Sequence, residues 1–144
     1  MTDVYVVAID DSKESAKAAS YALQCATAAG AELKILHVLE WSPYTFLTPE
    51  ELSERHKRRA EELTRAQSAI CDPLVKSLGA SSVPIDTEVR YGNIADVIKT
   101  YCDEVKASQL FLGRHSGSRI GTRIFGSVPA TVIQISDVPV TVVP

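Results

Sequence analysis

Val4-Tyr5-Val6-Val7-Ala8-Ile9-Asp10-Asp11-Ser12 decides the fold. Its first six residues are an unbroken apolar, largely β-branched run, the pattern of a strand covered on both faces. The run stops abruptly in two acids and a serine, which read as a turn. Downstream, Ala16, Ala19, Leu23 and Ala26 recur at spacings of three and four, and Gly30 stands where a helix ends. That pattern predicts a helix with an alanine-rich face, able to pack closely on a sheet. Leu33-Lys34-Ile35-Leu36-His37-Val38-Leu39 reads as a second strand. Strand, helix and strand joined this tightly imply a right-handed crossover and parallel pairing.

Outward from this unit the alternation continues. Trp41 to Pro49 is aromatic, hydroxyl-rich and irregular, and Trp41, Tyr44, Phe46 and Leu47 are expected to tuck against the following helix, the alternative being a loop that contacts a partner or covers a nucleotide. Thr48-Pro49-Glu50-Glu51 supplies an N-cap, a proline for the first helical position and two acids for the dipole. Leu52, Leu63, Ala66, Ile70, Leu74 and Leu78 extend one apolar stripe over a long helix that Pro73 should kink. The charges from Glu54 to Arg65 mix both signs and read as a solvated helix face. Pro84 to Tyr91 alternates as a sheet-edge strand does, and Gly92 closes it. Ile94, Val97, Ile98, Tyr101 and Val105 mark a third helix, Leu110-Phe111-Leu112 a fourth strand, Ser127 to Ile135 a fourth helix and Val138 to Val143 a fifth strand. The expected fold is α/β: a single-domain, three-layer, open, doubly wound parallel five-stranded sheet over residues 1–144.

Composition narrows the function. With 144 residues, 45% hydrophobic and 23% charged, the chain suits one globular domain. A net charge of -3 argues against general binding to nucleic acid or acidic lipid. Cys25, Cys71 and Cys102 form no CxxC pair and suggest neither a disulfide framework nor a zinc site; buried thiols in a reducing compartment are expected. No secretory pattern opens the chain and no apolar run reaches membrane-span length, so cytoplasmic localisation is the expectation.

In sheets of this kind ligands bind beyond the carboxyl ends of the strands, where the strand order reverses. Asp10 lies after strand one, and could serve as a turn former or as an acceptor for sugar hydroxyls. After strand four comes Gly113-Arg114-His115-Ser116-Gly117-Ser118-Arg119-Ile120-Gly121-Thr122-Arg123-Ile124-Phe125-Gly126-Ser127. Three glycines beyond Gly113 let backbone N–H groups approach an anion, and three arginines and a histidine add local positive charge. The loop leads into a helix N-terminus, which favours phosphate. It is neither a Walker loop nor a GxGxxG turn.

Val7-Ala8-Ile9-Asp10-Asp11-Ser12, His37-Val38, Gly113 to Ser127 and Val138-Pro139-Val140 together resemble the universal stress protein family over nearly the whole chain. Its ATP-binding branch carries G-x2-G-x9-G-[ST] after strand four. Here Gly113, Ser116 and Gly126-Ser127 keep that spacing, with serine for the middle glycine. The resemblance implies an adenine nucleotide alpha hydrolase-like fold with strand order 3-2-1-4-5. It also implies a site in which Asp10 meets the ribose, Ala8, Ile9 and Val38 frame adenine, and Gly113, His115, Ser116, Gly126, Ser127 and Val128 line the phosphates; Leu112 completes the set. ATP is the implied ligand, with Mg or Mn entering through its phosphates and no protein metal site. A homodimer through Val140, Thr141, Val142 and Val143 and a nucleotide-responsive contact with a further protein partner in the stress response are also implied. No catalytic residue is expected. His115, Ser116, Ser118 and Ser127 make no evident nucleophile and base pair along the sequence, so hydrolysis would be weak at most. Ser116 and the acid at Asp11 depart from the pattern and leave an alternative, a dimeric interaction protein that binds no nucleotide.

Overall fold

Buried apolar strands alternating with helices that each carry one apolar face can satisfy both only as layers. The computed structural model, which describes residues 2–40, 48–114 and 127–144, adopts that arrangement. In chain order the elements are β1 (Val4–Ile9), α1 (Lys13–Ala29), β2 (Glu32–Glu40), α2 (Pro49–Ala66), α3 (Asp72–Leu78), β3 (Ile85–Gly92), α4 (Ile94–Val105), β4 (Gln109–Gly113), α5 (Ser127–Ile135) and β5 (Val140–Val143). The five strands run in the order β3-β2-β1-β4-β5, and every neighbouring pair is parallel. Central β1 pairs Ile9 with His37 of β2 and Ala8 with Leu112 of β4, so the strand order reverses at its carboxyl end.

The sheet is covered on both faces. On one, Val7, Ile9, Leu33, Ile35 and Phe111 pack against Ala18, Ala19, Ala22 and Ala26 of α1 and against Cys71. Methyl side chains let α1 lie close to the strands, and Gly30 ends it in the left-handed conformation (φ 68°), its N–H bonded to Ala26 and Thr27 carbonyls. On the other face, Val6, Leu36, Leu110 and Leu112 meet Ile98, Tyr101 and Cys102 of α4 and Val132 of α5. Burying each such leucine or isoleucine contributes about 1.5–3 kcal/mol relative to exposure.

Three details depart from the sequence reading. Leu52 is 46% exposed and lies outside the core, because the amino-terminal part of α2 stands away from the sheet. The kink expected at Pro73 takes the form of a π-helical segment, Gln67–Cys71, between α2 and α3, in which Asp72 N–H bonds to Gln67 C=O. A proline ring clashes with the carbonyl four residues back, and the wider turn relieves that contact. Gln67 Nε2 then donates to Asp72 Oδ1 at 2.7 Å and to Thr87 Oγ1 at 2.8 Å, tying the irregular turn to β3. Finally, β5 starts at Val140 rather than Val138. Ser136 Oγ donates to Val138 C=O in a turn, and the Pro139 carbonyl only begins the pairing by accepting from Leu110 N–H. Trp41, Tyr44, Phe46 and Leu47 lie outside the described residues.

Candidate functional site

Ile9 is the last residue of β1, and the three residues between it and α1 are held by a closed set of hydrogen bonds. Asp10 Oδ1 accepts from Ser12 N–H at 2.8 Å and from Ser15 Oγ at 2.7 Å. Ser15 Oγ accepts from Asp10 N–H at 2.7 Å, while Ser12 caps the helix by accepting from Ser15 N–H at 3.2 Å. The first of these bonds is an Asx turn, so Asp10 is a turn former and Ser12 is the N-cap.

A crevice opens beyond this corner. Ala8, Ile9, Val38, Ile98 and Leu112 provide apolar walls and Asp10 and Ser15 a polar rim. Ser15 of α1, Ile94 of α4, and Val128 and Pro129 of α5 all border it, and each belongs to the first turn of its helix. Parallel winding brings helix N-termini to the carboxyl edge of the sheet, so three sets of partly positive amide ends face one crevice. A flat apolar ring fits the walls and a polyanion fits the helix ends. A hydrogen-bond donor fits the Asp10 carboxylate.

Neighbouring side chains fix the strand ends that form the walls. His37, 6% exposed, places Nδ1 2.8 Å from the Ile9 carbonyl; that oxygen can only accept, so Nδ1 carries the proton. Arg90 joins β3 to α4 by donating from Nη1 and Nη2 to Glu104 at 3.1 and 2.8 Å and from Nε to Glu88, and its guanidinium stacks 4.8 Å from the Tyr101 ring centroid. The Glu104 bonds, then those of Glu88, raise the Arg90 pKa further, and Arg90 in turn holds the Glu104 carboxyl below the usual carboxylate range. Burial pushes the Tyr101 hydroxyl up to about 12. These links hold α4, and with it Ile94 and Ile98, against the crevice.

Of the residues expected to bind, Ala8, Ile9, Asp10, Val38, Leu112, Gly113 and Val128 line this crevice together. Ser127 opens α5, but its side chain is outside the described residues, as are His115, Ser116 and Gly126 entirely. Gly113 has a packing role as well: a Cβ there would stand 3.2 Å from both the carbonyl carbon and oxygen of Glu14 in α1. Ser15, Ile94, Ile98 and Pro129 line the crevice without having been singled out from the sequence. The Ser12-x-x-Ser15 spacing and the Asn93 cap before Ile94 were the available signals, since first turns of helices converge here. Among the described residues no three His, Cys, Asp or Glu side chains cluster as a metal site.

The universal stress protein family model matches residues 1–144. Among solved structures, universal stress protein UspA from Lactobacillus plantarum aligns with TM-score 0.83 at 22% identity, covering 99% of this chain and 97% of its own. A universal stress protein in complex with cAMP aligns with TM-score 0.64 at 29% identity, over 99% and 96%. The universal stress protein from Archaeoglobus fulgidus in complex with dAMP aligns with TM-score 0.61 at 22% identity, over 100% and 98%. No curated protein sequence matches the chain.

Proposed function

The chain belongs to the universal stress protein family, and from that premise we propose that it binds an adenine nucleotide, ATP, in the crevice at the carboxyl ends of β1 and β4. The observation that carries this reading is the convergence of three helix N-termini on an apolar slot with the Asp10 carboxylate at its rim. Adenine is placed between Ala8, Ile9 and Val38, the ribose at Asp10, and the phosphates toward Gly113, Val128 and the segment carrying His115, Ser116, Gly126 and Ser127. Mg or Mn would arrive on the phosphates, which supply the charge such an ion needs. The relative in complex with cAMP, at 29% identity, supports an adenine compound as the ligand class.

The protein is further read as a cytoplasmic homodimer that changes its contacts with another protein when nucleotide is bound. Support for the dimer comes from β5, whose outer edge has no neighbour in the sheet among the described residues. Tyr21, 44% exposed and edge-on to Phe111 beside β5, and Ile133 of α5, 54% exposed, add apolar surface. Calorimetric titration with ATP after thorough stripping of bound ligand is expected to give heat, and Asp10→Ala to weaken binding by about 1.5–3 kcal/mol, more than tenfold. Neither heat nor a thermal shift at millimolar ATP would end the nucleotide reading. Persistence of the dimer in light scattering would then favour the interaction protein that Ser116 and the exposed Asp11 suggest.

A further inference from the structure

Ser15 is 5% exposed at the edge of the crevice, and its hydroxyl makes both of its bonds to one residue. In a capping box a glutamate or glutamine at this third helical position reaches back to the N-cap amide. Here the Ser12 amide is already taken by Asp10 Oδ1, and the Ser15 hydroxyl reaches two residues further, accepting from Asp10 N–H and donating to Asp10 Oδ1. We infer that Ser15 is a positioning residue for ligand recognition. Acting through Asp10, it holds the carboxylate so that Oδ1 is occupied by protein donors and Oδ2 is left for a hydroxyl of the ligand's sugar.

The inference rests on the proposed nucleotide site and deepens it. An aspartate side chain turns about χ1 among staggered wells and its χ2 torsion is broad, so an untethered carboxylate samples many orientations, and a ligand must pay to fix one. Two bonds to Oδ1, at 2.8 and 2.7 Å, remove that freedom before the ligand arrives. Among the described residues Oδ2 accepts no bond. An ionised carboxylate accepts only, so its remaining oxygen selects a donor and turns phosphate away. Ser15 therefore governs the preference for a hydroxylated sugar over a deoxygenated one, and contributes nothing to the contacts with adenine.

Affinities for ATP and for 2′,3′-dideoxyATP, measured on the full chain, test this. The wild-type protein is expected to prefer ATP, and Ser15→Ala to lose ATP affinity on the order of tenfold while affinity for the dideoxy compound barely moves. In the Asp10→Ala background, adding Ser15→Ala should cost nothing more, because the residue it acts through is gone. Ser15→Thr keeps the hydroxyl and should retain the preference, which guards against a folding defect in the alanine variant. Equal losses for both nucleotides, or losses that add across the double variant, would overturn the inference. Should the wild-type protein bind neither compound, the nucleotide reading fails separately. Scalar couplings across the Asp10 side chain then decide: one fixed rotamer that averages in Ser15→Ala upholds the positioning role, and an unchanged rotamer refutes it.

Discussion

Two residues behind the crevice show how packing and recognition share the same atoms. Gly113 reads in the sequence as a phosphate-loop glycine, yet its missing Cβ also lets the first turn of α1 approach, with Glu14 backbone atoms 3.2 Å from the place a Cβ would occupy. Gly113→Ala should push α1 away and cost about 1–3 kcal/mol, read as a lower urea midpoint. ATP affinity should fall with it, since Ser15 follows Glu14 directly. His37 falls within the second strand read from the sequence, but its bond to the Ile9 carbonyl joins residues 28 apart and follows only from strand register. His37→Leu leaves that carbonyl unpaired and is expected to cost about 1–3 kcal/mol. His37→Asn, with an amide donor close to the Nδ1 position, should recover part of it in thermal denaturation.

At the scale of elements, periodicity located the strands and helices but missed how two of them are finished. Along β5 the carbonyls of Pro139, just before it, and of Val143 accept from Leu110 of β4 and from Arg114 just after β4, so by strand alternation the groups of Val140 and Val142 face outward. Val142→Pro removes an outward donor without breaking the ladder to β4, and should convert the proposed dimer to a monomer in light scattering at micromolar concentration. A monomeric wild-type protein would remove the dimer from the functional reading. In the long helical segment, Pro73 announced an irregularity, but whether it becomes a bend or a π turn depends on what can receive the freed groups. Thr87 on β3 accepts from Gln67 there, a tertiary contact that no local pattern encodes.

For the molecule as a whole, both faces of the sheet bury thiols, and their chemistry reports on global opening. Burial pushes Cys71 up to about 11 and Cys102 up to about 12 from an ordinary 9.0, and Tyr101 to about 12 from 10.0. Each group stays protonated longer in the folded chain than in the unfolded one. The stability this contributes is complete below pH 9 and is lost as pH rises toward 12. Urea midpoints should therefore decline steadily above pH 9. Half-exposed Cys25 should label with a thiol reagent before Cys71 and Cys102, which wait for unfolding. The sequence by itself determined the class of fold, because a strand covered on both faces and an alanine-faced helix are local patterns with a layered solution, while the strand order and most of the crevice floor were legible only through motifs that resemble a known family. Only the tertiary structure decided that Ser15, Ile94, Ile98 and Pro129 join that floor. That depends on how closely separate helices approach the sheet, a distance set by packing across the chain and not by the spacing of residues along it.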